Sequence, residues 1–474
     1  MSWQSKIYHK FRLDERVVKI ISDYTGLLTD RLFLDFLEQE NKEFVVIDTV
    51  PQLLDALKHH NKLLICNRLD VPSFINKKVE VINFRFDSIP FSGNPHLLEK
   101  KTKNEVIAIL DFIENTPLRE GNLDSICKEA KRLQANYNYT NLLNSIETLV
   151  LSEITIDSVL QLSKLWSEAQ YQGYLLKDTS FSYLTHKIDN YCNPFFKELK
   201  WQDSFYAPIS NPKTVDKIIH KIKNDNAEKK ALLCFDCMGM PEWLLLKEHL
   251  ESLNLSFEES QVFTLLPSIT SLGRSAIFAG TYEVYNKKSP GQVTEEKDFK
   301  DFFGNNNSLY IREKDYTNSD LLIGFNNVSI LFNFFDDLSH SAIIQEDFPN
   351  KFSYYNSVSD YLKNSKVKCI LNDLLEQGFA IYFCSDHGSI VAKGNGKKFD
   401  KYLQEQFAKR AILISSDSAE LTEYEKVTIP FINNRIVAIP ENREMFANNN
   451  QLEINHGGLT IDEMVVPFIK IKNS

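Results

Sequence analysis

The spacing of apolar residues divides the chain into stretches of different character. Up to about residue 125, short apolar runs alternate with a helix-spaced segment. FVVID (44–48), KLLIC (62–66) and VEVINF (79–84) are rich in β-branched and aromatic residues, whereas VPQLLDALKHH (50–60) repeats its apolar positions at helical spacing. Residues 1–125 therefore read as a small α/β domain. No phosphate loop or dinucleotide fingerprint accompanies Asp48 at the end of its expected strand. From 126 to 201 the period becomes helical throughout, as in TNLLNSIETLVLSEITIDSVLQLSKLW (140–166), which predicts a helical connector.

A new unit is expected from residue 202 to 474. Asn211 followed by Pro212 predicts a helix start, with Val215, Ile218, Ile219 and Ile222 on one apolar face. ALLCFD (231–236) is a continuous apolar run suited to a strand buried on both faces. Further expected strands are VFTLL (262–266), VSILFNFF (328–335), AIYFCS (380–385), RAILIS (410–415) and VVPFIKI (465–471), with helices between them. Strands alternating with helices predict an open α/β sheet. The polar stretch at 284–312 reads either as a solvated insertion or as a lid over a site.

Composition narrows the function classes. The 474 residues are 43% hydrophobic and 25% charged, which is the make-up of a globular protein of two or three domains. No apolar run is long enough to span a bilayer, and the opening MSWQSKIYHKFRLDER lacks the apolar core of a secretory signal, so a cytoplasmic protein with no membrane partner is expected. A net charge of −10 argues against a broad grip on duplex nucleic acid, though not against a local basic groove. Seven scattered cysteines do not suggest a disulfide framework. Cys234 and Cys237 form a CxxC, but no second pair follows and Cys234 sits inside a strand pattern. His59, His60, His186 and His220 have no ligand-type neighbours and read as surface or packing residues.

The chemistry gathers in five short motifs: Asp236 in CFDCMG, Thr270 in LPSITSLGR, Asp336 and His340 in FFDDLSH, Asp386 and His387 in FCSDHGS, and His456 in NHGG. Ligands collect at the carboxyl ends of strands in open α/β sheets. Asp236, Asp336 and Asp386 each follow an expected strand, so they converge on one rim if those strands are parallel neighbours. Asp336 and His340 share a face if a helical turn follows. Three aspartates, three histidines and a threonine suffice to hold two divalent cations around a hydroxyl nucleophile. Zinc is the expected metal and manganese the alternative, since mixed Asp and His ligands discriminate weakly. Thr270 has two readings, an N-cap or a metal-activated nucleophile. Arg274, one turn further on, either contacts a substrate phosphate or solvates the helix surface. KGNGKK (393–398) lacks the spacing of a phosphate cradle and reads as a basic turn.

FDCMGMPEW, LPSITSLGRSAIFAG, FFDDLSH, CSDHGS and NHGGLTIDEMVVPF, in that order, resemble the consecutive motifs of PglZ domains, a branch of the alkaline phosphatase superfamily found in BREX-type phage defence and in response regulators. The resemblance covers residues 205–474, and the first half does not look like a receiver domain. It implies an α/β fold whose C-terminal alkaline-phosphatase-like domain has a central, mostly parallel sheet between helices, after the small α/β domain and the connector. It also implies Thr270 as a metal-bound nucleophile, with Asp236, Asp386 and His387 around one cation and Asp336, His340 and His456 around the other. The expected activity is phosphodiester hydrolysis on nucleotides, oligonucleotides or nucleic acid. A phosphomonoesterase or related transferase is the alternative. A non-catalytic scaffold, binding a defence-system protein through residues 1–200, is the third reading.

Overall fold

The computed structural model describes residues 2–15, 19–58, 62–75, 79–89, 95–115, 136, 138–284, 292–342, 344, 349–397, 408–414, 425–430 and 435–472. Two compact units are present, Met1–Asn138 and Tyr139–Ser474. His59, His60, Cys127, Lys398 and the first part of the expected lid fall outside the described residues. No helix among the described residues is long and apolar enough to cross a membrane.

In the first unit, strands β1 (Lys19–Asp23), β2 (Phe44–Ile47), β3 (Leu63–Asn67) and β4 (Glu80–Phe84) form a parallel sheet in the order β2-β3-β1-β4. Three of these strands match the apolar runs; β1 is additional, although the VVKII run (17–21) carries a β-branched signal of the same kind. Helix Val50–Ala56 is set by a capping box between Thr49 and Gln52. The loop after β1 is organised by the buried Asp23 carboxylate. Its Oδ1 accepts from the Thr25 N–H (2.9 Å), the Thr25 hydroxyl (2.8 Å) and the Gly26 N–H (3.0 Å), and its Oδ2 from the N–H groups of Leu28 (2.8 Å) and Thr29 (3.1 Å).

The strands of the second unit are β5 (Lys230–Phe235), β6 (Phe257–Phe263), β7 (Ser308–Arg312), β8 (Asn327–Phe332), β9 (Ala380–Ser385), β10 (Ile390–Gly394), β11 (Ile412–Ile414), β12 (Glu425–Ile429), β13 (Arg435–Ile439), β14 (Glu444–Met445), β15 (Leu452–Asn455) and β16 (Val465–Ile471). The central sheet runs β6-β16-β9-β5-β8-β7. Strands β9, β5, β8 and β7 are parallel, and β16 is antiparallel to both neighbours. Successive side chains of a strand point to opposite faces. Leu232, Cys234, Tyr382 and Cys384 accordingly enter one core, and Ala231, Leu233, Phe235, Ile381 and Phe383 the other. Helices cover both faces, so the sheet is the mostly parallel, helix-flanked one expected.

Of the expected connector, residues 139–201 lie in the second unit, where helices Ile156–Leu176 and Leu184–Lys197 bury Trp166, Ile188 and Phe195 in the same core as Val262 and Tyr382. Several boundaries differ from expectation for local reasons. No helix starts at Asn211: the Phe263 N–H bonds the Lys213 carbonyl and Thr214 bridges Phe263, so the helical turns begin at Val215, as a 3-10 turn that runs into helix Ile218–Lys223. The strand expected at 328–335 stops at Phe332, and FF opens helix Phe334–Ser341. The strand expected at 262–266 is shifted to Phe257–Phe263, an edge strand whose polar, exposed positions hide it from apolar counting. The RAILIS segment contributes β11 to a separate sheet, β11-β13-β12, and β10 joins a third, β14-β10-β15. The polar stretch near 300 is helix Gln292–Phe303 followed by β7.

Candidate active site

Strand register brings the first and fourth motifs together. Phe235 on β5 pairs with Ser385 on β9, so the residues that follow, Asp236 and Asp386, leave the sheet side by side. Asp386 is fully buried. Its Oδ1 accepts from the N–H groups of Cys237 (3.1 Å) and His387 (3.0 Å), while its Oδ2 has no hydrogen-bond partner. Helix Thr270–Ala279 passes directly over this turn because residue 273 is glycine; a Cβ there would collide with the Asp386 carbonyl, which also accepts from the Thr264 hydroxyl. That close approach delivers Thr270.

Ile269, not Thr270, occupies the N-cap position, so the capping role open to this threonine is not the one it takes. The Thr270 Oγ1 lies 2.9 Å from His387 Nε2 and 3.4 Å from Asp236 Oδ1. His387 Nδ1 is 3.1 Å from the Gly388 carbonyl oxygen, which only accepts, so Nδ1 carries the proton and Nε2 offers its lone pair toward the hydroxyl. His456 repeats the device, its Nδ1 facing the Ser268 carbonyl at 3.2 Å. The two imidazoles stack with centroids 4.1 Å apart and planes 21° apart.

The electrostatics match an anionic pocket with too little positive charge. Burial, then the Asp386 carboxylate, pushes the Asp236 carboxyl up to about 8. Burial likewise raises Asp386 to about 6. Burial lowers His387, and burial together with His387 lowers His456 to about 3. Both imidazoles are therefore neutral near pH 7, the form that ligates a metal.

One group of Asp, His, Cys or Glu residues among the described residues is compact enough to hold a cation: Asp236, Asp386 and His387, with ligand atoms all within 4.8 Å of one another. His387 Nε2 stands 3.7 Å from Asp236 Oδ1 and 3.9 Å from Asp386 Oδ2. Zinc bonds of ~2.1 Å arranged tetrahedrally separate ligands by roughly 3.4 Å, so the set fits with slight contraction. The unpartnered Asp386 Oδ2 and the repelling carboxylates are what a cation there would satisfy.

The remaining expected ligands are looser. Asp336 sits in the first turn of helix Phe334–Ser341, 3.3 Å from His340 Nε2, as their spacing of four predicts. His340 is 60% exposed, and Asp336 Oδ1 is buried without a partner. Burial opposes ionisation of Asp336, but the His340 hydrogen bond and the nearby imidazoles of His456, His340 and His387 outweigh it and lower its pKa. His340 is raised by the same bond. Asp336, His340 and His456 do not form a compact three-ligand set as Asp236, Asp386 and His387 do.

Arg274 points inward. It donates from Nη1 to Asp236 Oδ2 at 2.7 Å and from Nε to Glu295 Oε1 at 3.1 Å, and Tyr310 donates to the other Glu295 oxygen at 2.7 Å. Glu295 and Tyr310 were missed in the sequence. Glu295, Phe299, Phe302 and Phe303 do follow helical spacing inside the polar stretch, and that was the available signal. Also missed was the brace beneath the NHGG loop. Asp462 accepts from Trp166 (3.0 Å), Gln170 (2.8 Å) and Arg443 (2.7 Å), and Arg443 also binds Asp189 in two places. Glu463 pairs with the fully buried Arg410 and accepts the Gly458 N–H, two residues from His456.

The family model described as the BREX system PglZ alkaline phosphatase-like domain matches residues 214–471. An alkaline phosphatase-like protein PglZ from Bacillus cereus (strain H3081.97) is 24% identical over 336 residues, covering 62% of this chain but only 38% of the relative's length. Among solved structures, murine ectonucleotide pyrophosphatase/phosphodiesterase 5 aligns with a TM-score of 0.33 at 12% identity, over 51% of this chain and 87% of that one. Phosphonoacetate hydrolase from Sinorhizobium meliloti 1021, solved with phosphonoformate, gives 0.33 at 11%, over 52% and 90%.

Proposed function

The chain belongs to the PglZ family of alkaline phosphatase-like domains, and from that premise we propose that its second unit is a two-metal phosphohydrolase that cleaves phosphodiesters of nucleotides, oligonucleotides or nucleic acid through Thr270. The observation that carries the reading is the Thr270 hydroxyl at 2.9 Å from a neutral His387 Nε2, beside a buried Asp386 oxygen with no partner.

Asp236, Asp386, His387 and Thr270 would hold one divalent cation, and Asp336, His340 and His456 the other. Zinc, or alternatively manganese, supplies Lewis-acid activation and charge neutralisation at the phosphorus when bound. The chain's own contributions are separate. His387 Nε2 and Asp236 Oδ1 are the nearest acceptors for the Thr270 proton. The first N–H groups of helix Thr270–Ala279 lack intrahelical partners, so a phosphoryl group at Thr270 meets free donors and the positive end of the helix. Arg274 orients Asp236 through one N–H and is anchored on Glu295 by another; its remaining N–H groups are what it offers a phosphate oxygen. Water excluded from this buried turn strengthens each of these interactions.

The family description supports a place in phage defence; to it we add a cytoplasmic location and a protein partner for residues 1–200. These belong to the same proposal. The test is metal analysis of the purified chain together with hydrolysis of aryl phosphodiesters and monoesters by wild type and Thr270→Ala. Two cations per chain, diester preference and a loss of at least about a thousandfold in Thr270→Ala are expected. Fewer than two cations at saturation, with no dependence on Thr270, would sink the mechanism. Monoester preference would favour the phosphomonoesterase alternative, and folded Thr270→Ala and Asp386→Ala proteins that keep the biological activity would favour the scaffold.

A further inference from the structure

A cavity lies on the carboxyl edge of the central sheet, beside the helix that carries Asp336. Its volume is about 350 Å³, within the range of small-molecule sites. Arg312 at the end of β7, Lys314, Asn333 and Phe334 just past β8, Asp337 and Tyr361 form its wall. Asn333 and Asp337 flank Asp336 in sequence, so the cavity sits within about one 5.4 Å helical turn of a candidate metal ligand.

Three features set it apart from an ordinary surface hollow. Arg312 Nε is a buried donor and Asn333 Oδ1 a buried acceptor, and neither has a hydrogen-bond partner. Such orphans are costly and rare in folded proteins. Asn333 even occupies the N-cap of helix Phe334–Ser341 without capping it, so its amide is not engaged by the fold. Tyr361 stacks on buried Phe334, with centroids 4.7 Å apart and planes 21° apart, yet remains 37% exposed. Finally, Glu313 also lines the cavity, where it is engaged by the Tyr361 hydroxyl and Lys366, so Arg312 and Lys314 share the wall with the carboxyls of Glu313 and Asp337.

An occupant that satisfies all of these has a flat aromatic face, an edge with neighbouring donor and acceptor groups, hydroxyls and negative charge. Aromatic side chains hold bases by stacking. Asparagine amides read base edges, carboxylates accept from sugar hydroxyls, and arginine with lysine takes phosphate. We propose that this cavity is a nucleotide subsite, binding the nucleoside and a flanking phosphate of the substrate or product. It deepens the phosphohydrolase reading and rests on it for its purpose, while the binding itself stands on the cavity.

Calorimetric titration of the full chain, carrying Thr270→Ala and stripped of metal with chelator, tests the binding with AMP, adenosine and inorganic phosphate as probes. AMP and adenosine are expected to bind, AMP the more tightly, and inorganic phosphate to compete with adenosine weakly or not at all. Tyr361→Ala should weaken both nucleosidic probes by about tenfold. Tyr361→Phe should restore them, and Asn333→Ala should weaken adenosine with an unchanged thermal midpoint. No adenosine or AMP binding in the Thr270→Ala background would overturn the proposal. So would unchanged affinity in Tyr361→Ala and Asn333→Ala. Failure of the phosphohydrolase reading shows separately, as aryl phosphodiester hydrolysis that does not depend on Thr270.

Discussion

Asp23 and Asp386 are both fully buried, and each stands at the carboxyl end of an internal strand of its sheet, one in each unit. Their surroundings differ. Asp23 accepts five hydrogen bonds from its own loop, so both oxygens are used. Asp386 has one oxygen held by two backbone N–H groups and the other facing Asp236 and His387 with no donor. A buried carboxylate whose lone pairs are all met organises a loop. One left half-met beside another carboxylate is waiting for positive charge from outside the chain. Asp462, held by Trp166, Gln170 and Arg443, is of the first kind even though it lies next to the site in sequence.

The strongest way to break this distinction is to convert a satisfied carboxylate into an unsatisfied one. Arg443→Met leaves Asp189 and Asp462 buried without their shared cation, and a loss of about 3–5 kcal/mol is expected in denaturant unfolding. Asp386→Asn should act oppositely: metal affinity falls by more than about 100-fold in a chelator-competition titration, while the fold of the metal-free protein is kept. If Asp386→Asn instead unfolds the protein and leaves metal uptake intact, the two aspartates are alike and the distinction fails. Asp23→Ala orphans several loop N–H groups and should cost about 2–3 kcal/mol in thermal unfolding of the first unit, with metal stoichiometry unchanged.

The smallest expected effect is on pH. Asp236 is raised to about 8 in the folded, metal-free chain, so it keeps a proton that the unfolded chain has released. Its stabilising contribution is present below the ordinary carboxylate range and is lost as pH rises through about 8. His387 and His456 are lowered, so their contribution runs the other way but is complete above the ordinary histidine value of ~6.5. Between about pH 6.5 and about pH 8 the chelator-treated protein should therefore lose thermal stability. Saturating metal should abolish that slope, and metal binding should release protons, measurable in buffers of different ionisation enthalpy. A slope of opposite sign would remove the unsatisfied carboxylates from the account.

How much of this could be read from sequence depended on whether a residue's neighbours repeat its message. ALLCF and AIYFCS are continuous apolar runs because both faces of β5 and β9 are covered, and they announced the sheet. The five motifs were legible because they recur in one order along the chain, each carrying a ligand-type or nucleophilic residue. Glu295, Arg410 and Arg443 were not, since a charge buried in a pair looks in sequence like a charge on the surface. β6 was hidden for a related reason, since its edge exposure erases the apolar signal, whereas the VVKII run (17–21) at β1 did carry one. Thr270 illustrates the limit differently, because a helix-starting threonine permits two roles and only the position of Ile269 at the cap separates them.

The Arg443 brace also bears on where this molecule can be cut. The family model begins to match at residue 214, yet Asp189, Trp166 and Gln170 are needed to neutralise and shield the segment beneath His456. A fragment trimmed to the homologous stretch would expose the ion pair to water on one side and strand an arginine on the other. The border of the family model and the border of the packed unit thus differ in this chain, and helices Ile156–Leu176 and Leu184–Lys197 belong to the alkaline phosphatase-like body as a physical object.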